Sequence, residues 1–174
     1  KAFINLQRLL VLWVQVSSRV FLFELARPML EYCSTVWDPQ TKLAINKVEQ
    51  IQRRACRFVC GNNDRNESVS CMAKMLNWDT LEERRCRQKV TTFFKGQNKE
   101  IAIPMDNLRK NPRKENNYTQ PSSSINAHRN SFFPSTIKLW NSLPNDIKQS
   151  ESVSVLKNKI NFFNLSDLKP SYHN

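Results

Sequence analysis

The sequence predicts a mainly α-helical fold: a small helical bundle, a long polar linker and a C-terminal helical pair, with little or no sheet. Three observations carry this. Gly occurs only 2 times in 174 residues, and tight β-turns and hairpins lean on Gly. Apolar residues recur at helical spacing in stretches bounded by capping residues. Between those stretches, residues 97–130 are polar and interrupted by Pro, as in a linker or a loosely held loop.

Residues 1–38 read as apolar helices, over 3–16 and 18–33, joined at Ser17 and Ser18. Pro28 should bend or break the second near Arg27. Gln7, Arg8, Gln15 and Arg19 interrupt the apolar run, which falls short of the roughly 20 residues a membrane helix needs. A buried helix pair is expected, with no membrane partner. The run lacks a secretory cleavage site, and the chain opens at Lys1 without Met, as a fragment would. The stretch "EYCSTVWDP" favours an extended or turning segment.

Residues 39–96 read as an amphipathic basic helical domain. Asp38 and Pro39 form a helix start, an acidic N-cap followed by Pro in the first turn. The helix should run to Cys60, where Gly61 suits the left-handed C′ position. At about 100° per residue, Ala44, Val48, Ile51, Ala55, Phe58 and Val59 share one side, and Asn46, Gln50, Arg53, Arg54 and Arg57 the other. A short helix is expected over 68–76. Thr80 and Glu83 fit a capping box opening another helix, which should reach Phe94 or Lys95 and stop at Gly96. Past the linker, residues 131–165 read as a helical pair. Phe133, Ile137 and Trp140 form one stripe, with Pro144 at its end. A second stripe of Val153, Leu156, Ile160 and Phe163 is capped by Ser152. Neither helix is stable alone, so the pair should fold back on the main body. Residues 166–174 form a tail.

Little here points to catalysis. The aspartates, Asp38, Asp64, Asp79, Asp106, Asp146 and Asp167, are scattered, and metal-assisted phosphoryl transfer wants them clustered. Glu82 and Glu83 are explained as helix-start charges. Cys56 and Cys60 lie one turn apart, but no C-x-x-C occurs and His128 and His173 lie in regions expected to be mobile, so no metal site and no cofactor are expected. Two glycines cannot build a phosphate loop. The odd cysteine count, with no signal peptide, reads as reduced and intracellular, nuclear or cytoplasmic.

Charge is the informative feature. Lys and Arg total 27 against 15 acidic residues, a net charge of +12. Such an excess attracts polyanions, nucleic acid first. The cations cluster as Arg53, Arg54 and Arg57; as Arg84, Arg85, Arg87 and Lys89; and, in the linker, as Arg109, Lys110, Arg113 and Lys114. Each cluster reads equally as a solvated face. Arg matches phosphate through its planar fork of donors. Trp37, Trp78 and Trp140 are able to stack on bases, but their apolar settings favour packing.

Four blocks in order carry a resemblance: "LARPMLEYCSTVWDP", "KVEQIQRRACRFVCG", "MLNWDTLEERR" and "NSFFPSTIKLWNSLP". Together they resemble the C-terminal region of reverse transcriptases from non-LTR, LINE-type retrotransposons, most like the jockey-type and chicken-repeat-type lineages. The family pattern L-V-R-P-x-L-E-Y-A-S-x-V-W-D-P is met over residues 25–39, with Ala26 and Cys33 departing from it. Its E-x-x-Q-R-R-A-x-R-F, W-x-x-L-x-x-R-R and S-F-F-P-x-T-I-x-x-W-N-x-L-P blocks are met at 49–58, 78–85 and 131–144. Residues 1–16 are less basic and polar than the family's. The resemblance implies structural roles for Arg27, Pro28, Glu31, Tyr32, Trp37, Trp78, Phe132, Phe133, Trp140, Asn141 and Pro144. It implies a thumb-like remnant up to residue 38 and a post-polymerase region beyond it. The palm's Asp-Asp motif does not occur in these residues, so the resemblance implies a non-catalytic part of an RNA-directed DNA polymerase. The implied partners are RNA or an RNA–DNA duplex, along with the parent's palm and fingers. The rival expectation is a structural module that packs on the palm and touches no nucleic acid.

Overall fold

The computed structural model describes residues 27–61, 67–122 and 124–163; the expected helices upstream of Arg27 and the tail lie outside them. The fold is mainly helical. Among the described residues there is no strand, and the only ladder contact is an isolated bridge between Lys110 and Tyr118. The chain divides into two compact units, Lys1–Ser34 with Lys42–Leu81, and Thr35–Thr41 with Glu82–Asn174.

In the first unit, α1 (Arg27–Glu31) contains Pro28. Cys33 then takes a positive φ of 51° and breaks the helical path. A single turn, α2 (Ser34–Trp37), follows where an extended segment was expected, and from Thr35 it belongs to the second unit. The long helix α3 is Lys42–Cys60, so Asp38 and Pro39 precede it and do not cap it; the Asp38 carboxylate has other partners, described below. Gly61 closes α3 with φ 64° and donates its N–H to the Phe58 carbonyl. α3 packs on α4, Val69–Met75. Its buried side is Ile45, Cys56 and Val59, flanked by half-buried Val48 and Gln52. This corrects the sequence reading: Ile51 and Phe58, expected inside, are exposed. α4 ends in a Schellman motif. Asn77 sits at φ 54°, its N–H on the Lys74 carbonyl and that of Trp78 on the Ala73 carbonyl.

The second unit is organised on α5 (Leu81–Gln97), which has Glu82 and Glu83 in its first turn. Gly96 does not stop it. That residue is buried inside the helix, where an added Cβ would lie 3.1 Å from Met105 Sδ and 3.3 Å from its Cγ. Its lack of a side chain admits a crossing segment. The left-handed residue is Lys99, at φ 59°.

α7 (Phe132–Ser142), α8 (Asn145–Lys148) and α9 (Val153–Phe162) follow the short helix α6 (Asn126–Arg129). Val90, Phe93 and Phe94 of α5 share one core with Ile137, Leu139, Trp140, Leu143, Ile147, Leu156 and Ile160. The C-terminal pair therefore does fold back, onto α5. The compact units consequently differ from the sequence boundaries, which had grouped α5 with α3. The Ser152 side chain caps α9 by accepting from the Val155 N–H.

Residues 97–119 of the polar stretch are held, not loose. Tyr118 is buried in the core, edge-on to Phe93 at 5.3 Å between ring centroids. Asn141 grips its main chain twice, accepting from the Tyr118 N–H at 2.9 Å and donating to its carbonyl at 2.8 Å. Trp140 Nε1 donates to the Asn116 carbonyl at 2.9 Å, and Gln97 Nε2 to the Tyr118 hydroxyl at 2.6 Å. Composition hid this because one aromatic anchor and a few amides suffice to pin a polar loop.

Trp140 is 1% exposed and lies against Phe93 and Phe94. Trp140→Ala should destabilise the second unit by about 3–5 kcal/mol, read by denaturant unfolding. Trp140→Phe should cost less, losing mainly the indole hydrogen bond.

Candidate nucleic-acid interface

Helix periodicity sorts the basic clusters before any ligand is considered. On α3, Arg53 and Arg54 are exposed and Arg57 is half-buried. Among the described residues none of the three forms an ion pair, and Arg57 Nε is shielded with no acceptor. The helix is about 28 Å long at 1.5 Å per residue. It is held in place by Gln52, whose Nε2 donates to the Asp79 carbonyl at 2.7 Å. A rigid rod thus presents guanidinium groups with no carboxylate of their own.

The second cluster is different, and here the expectation is corrected. At about 100° per residue, Arg84, Arg85, Arg87 and Lys89 cannot share a face of α5. Arg85 and Lys89 fall on the stripe that runs from Leu81 to Phe93. Arg85 is 2% exposed and Lys89 6%. Arg85 Nε donates to Asp38 Oδ1 at 2.8 Å, and Lys89 Nζ to Asp38 Oδ2 at 2.6 Å. Lys89 also donates to Ser135 Oγ at 3.2 Å. Gln40 Nε2 adds donors to the Asp38 carbonyl and carboxylate. Both cations are held inside the unit, the two Nη atoms of Arg85 buried without an acceptor, and present nothing to a phosphate. Arg84 and Arg87 are half-buried, each with an interaction inside the chain.

The linker cluster, by contrast, is on the outside. Arg109, Lys110, Arg113 and Lys114 are all exposed, on a loop closed by hydrogen bonds from the Asn111 N–H to the Asn117 carbonyl and from the Thr119 N–H to the Arg109 carbonyl. The buried Lys148 supports it, with Nζ donating to Asn117 Oδ1 at 2.7 Å and to the Asn141 carbonyl at 3.1 Å. The signal for this surface was present in the sequence as four cations within six positions.

The remaining motif residues divide by burial. Trp140 and Asn141 hold the core and its loop. Phe132 and Phe133 pack edge-on at 5.3 Å. Pro144 accepts from the Ile147 and Lys148 N–H groups and starts α8. Trp78 and Glu31 are half-buried, and Arg27 lies in α1. Pro28, Tyr32 and Trp37 are exposed. Among the described residues no group of His, Cys, Asp or Glu is arranged to hold a metal, and no helix is long and apolar enough to cross a membrane.

All five cysteines are free. Burial pushes the Cys56 thiol up to about 11, helped by Cys60 and Glu49. Burial does the same to Cys86, also to about 11, with Asp38 and Glu82 adding to it and Lys89 and Arg85 opposing. Burial lowers the Lys148 ammonium, and Lys114 lowers it further. Comparison with protein-family models, with curated proteins and with solved structures finds no match for this chain.

Three outcomes are expected. Asp38→Ala strands two buried cations and should cost about 3–5 kcal/mol in unfolding experiments, whereas joint replacement of Asp38, Arg85 and Lys89 by apolar residues should cost much less. Between 9 and about 11 the folded chain keeps thiol protons that the unfolded chain releases, so Cys56 and Cys86 make stability fall as pH rises there. Lys148 acts oppositely: the unfolded amine holds its proton up to 10.5, and its contribution grows as pH approaches that value. Unfolding midpoints across this range should fall less steeply in a Cys56→Ala/Cys86→Ala variant and more steeply in Lys148→Met. At neutral pH an alkylating reagent should label exposed Cys33 and Cys71 well before Cys56 and Cys86.

Proposed function

We propose that this chain is a non-catalytic, nucleic-acid-binding piece of an RNA-directed DNA polymerase of the non-LTR retrotransposon type. It holds RNA or a template–primer duplex through arginines on α3. The observation that carries the reading is Arg53 and Arg54, exposed on a rigid helix with no ion pair among the described residues, in a chain of net charge +12. The four sequence blocks point to the polymerase family. The exposed cations of residues 109–114 supply a second phosphate-binding surface. Arg85 and Lys89 are left out of the binding set, because they are buried and held by Asp38.

The mechanism is charge neutralisation with counterion release. Guanidinium groups replace condensed cations along the backbone, which favours duplex shape over base sequence. An intracellular setting, nuclear or cytoplasmic, accords with five free cysteines. The structural-module reading draws on a different observation, the exposed apolar side chains of α3.

With about six phosphates neutralised, the log–log slope of binding against salt for an RNA–DNA duplex should be about −5. Arg53→Glu/Arg54→Glu/Arg57→Glu should flatten it by about 3. An unchanged slope in the triple variant would remove α3 from the binding surface and favour the structural module.

A further inference from the structure

One line of side chains on α3 is not used by the core, and only its Arg54 is shared with the nucleic-acid reading on which this inference rests. Leu43, Lys47, Ile51, Arg54 and Phe58 follow one another by three or four residues, so they form a single stripe along the helix. Leu43 is 69% exposed, Ile51 47% and Phe58 65%. Lys47 and Arg54 are exposed as well, and neither has an ion pair among the described residues. Exposed apolar residues scattered singly need no explanation, whereas three aligned on one rigid helix do.

We infer that this stripe docks an acidic amphipathic helix of a protein partner, with apolar residues facing Leu43, Ile51 and Phe58 and carboxylates facing Lys47 and Arg54. The charge order on the stripe selects that occupant. Two copies of this chain meeting antiparallel about the stripe's midpoint would set Leu43 against Phe58 and Lys47 against Arg54. Parallel copies would set Lys47 on Lys47 and Arg54 on Arg54. Each arrangement opposes like charges, in a chain that already carries +12. A helix with carboxylates at those positions turns both repulsions into ion pairs and covers the apolar side chains. A nucleic acid gains nothing from the three apolar groups. An anionic bilayer takes up a broad apolar face, and this line is interrupted by two cations and bordered on one flank by exposed Gln50. From Leu43 to Phe58 the stripe runs about 22 Å, so the partner helix needs about four turns.

The test uses the whole chain and two synthetic helical peptides of about four turns. One carries Leu opposite the apolar positions and Glu opposite the cations; the other has Lys in place of Glu. Fluorescence anisotropy at physiological salt should show binding of the Glu peptide and not of the Lys peptide. Leu43→Gln/Ile51→Gln/Phe58→Gln should weaken the Glu peptide by about tenfold or more. It should leave duplex binding intact, because Arg53, Arg54 and Arg57 remain. Lys47→Glu should weaken the Glu peptide and strengthen a peptide carrying Lys opposite that position. Equal binding of the two peptides overturns the inference, as does a Glu peptide insensitive to both variants. So does a triple variant that loses affinity for phosphatidylserine vesicles or for the RNA–DNA duplex while no peptide binds. Each result is read separately from the salt slope, so failure here leaves the nucleic-acid reading standing.

Discussion

The Asp38 carboxylate, held between Arg85 and Lys89, decides which of this protein's many cations face outward. Two positive charges at core positions of a helix would be prohibitive alone. One carboxylate, reached by short hydrogen bonds from both and supported by Gln40, makes them tolerable. The consequence reaches beyond stability. Because these cations are buried and held internally, the outward-facing clusters lie elsewhere: on α3 in one unit and on the loop of residues 109–114 in the other.

A second constraint gives that loop its shape. Its backbone is gripped by Asn141 and by the Trp140 indole, and its Asn117 side chain by the Lys148 ammonium, all of them on the C-terminal helices. A polar segment that cannot bury enough apolar area to order itself is ordered by hydrogen bonds from a neighbouring core. The "LWN" of the fourth block therefore has a physical role here. Trp140 fills the core, and its neighbour Asn141 reads the backbone of Tyr118. Exposed cations on a pinned loop lose less freedom on meeting a polyanion than cations on a slack one.

Much of the fold was legible from local chemistry. The helical class followed from scarce Gly and clean periodicity. The termination of α3 at Gly61, the short α4, the start of α5 and the Ser152 cap all followed from residues whose conformational preference is intrinsic. What was illegible depended on tertiary partners. Asp38 looks like an N-cap in sequence, and only the arrival of Arg85 and Lys89 from α5 shows its actual use. Gly96 looks like a stop signal, but its role is close approach by Met105. Ile51 and Phe58 sit beside the buried arc of α3, and the apolar pattern alone places the centre of that arc a fraction of a residue step too far round. Of the candidate site, Arg53, Arg54 and the linker cations are exposed, whereas Arg57 is half-buried with its Nε shielded. Arg85 and Lys89 were misjudged because adjacency in sequence was taken for a shared face; their spacing from Leu81 and Phe93 contained the correction.

The central claim is that α3 arginines meet a polyanion while the α5 cations serve the fold. Arginine-selective footprinting with a dicarbonyl reagent, read by peptide mass with and without saturating RNA–DNA duplex, addresses both halves at once. The account predicts that Arg53 and Arg54 react in the unliganded chain and are protected by duplex, while Arg85 stays unreactive in both samples. Full reactivity of Arg53 and Arg54 in the presence of bound duplex, or ready modification of Arg85 in the folded chain, would contradict it.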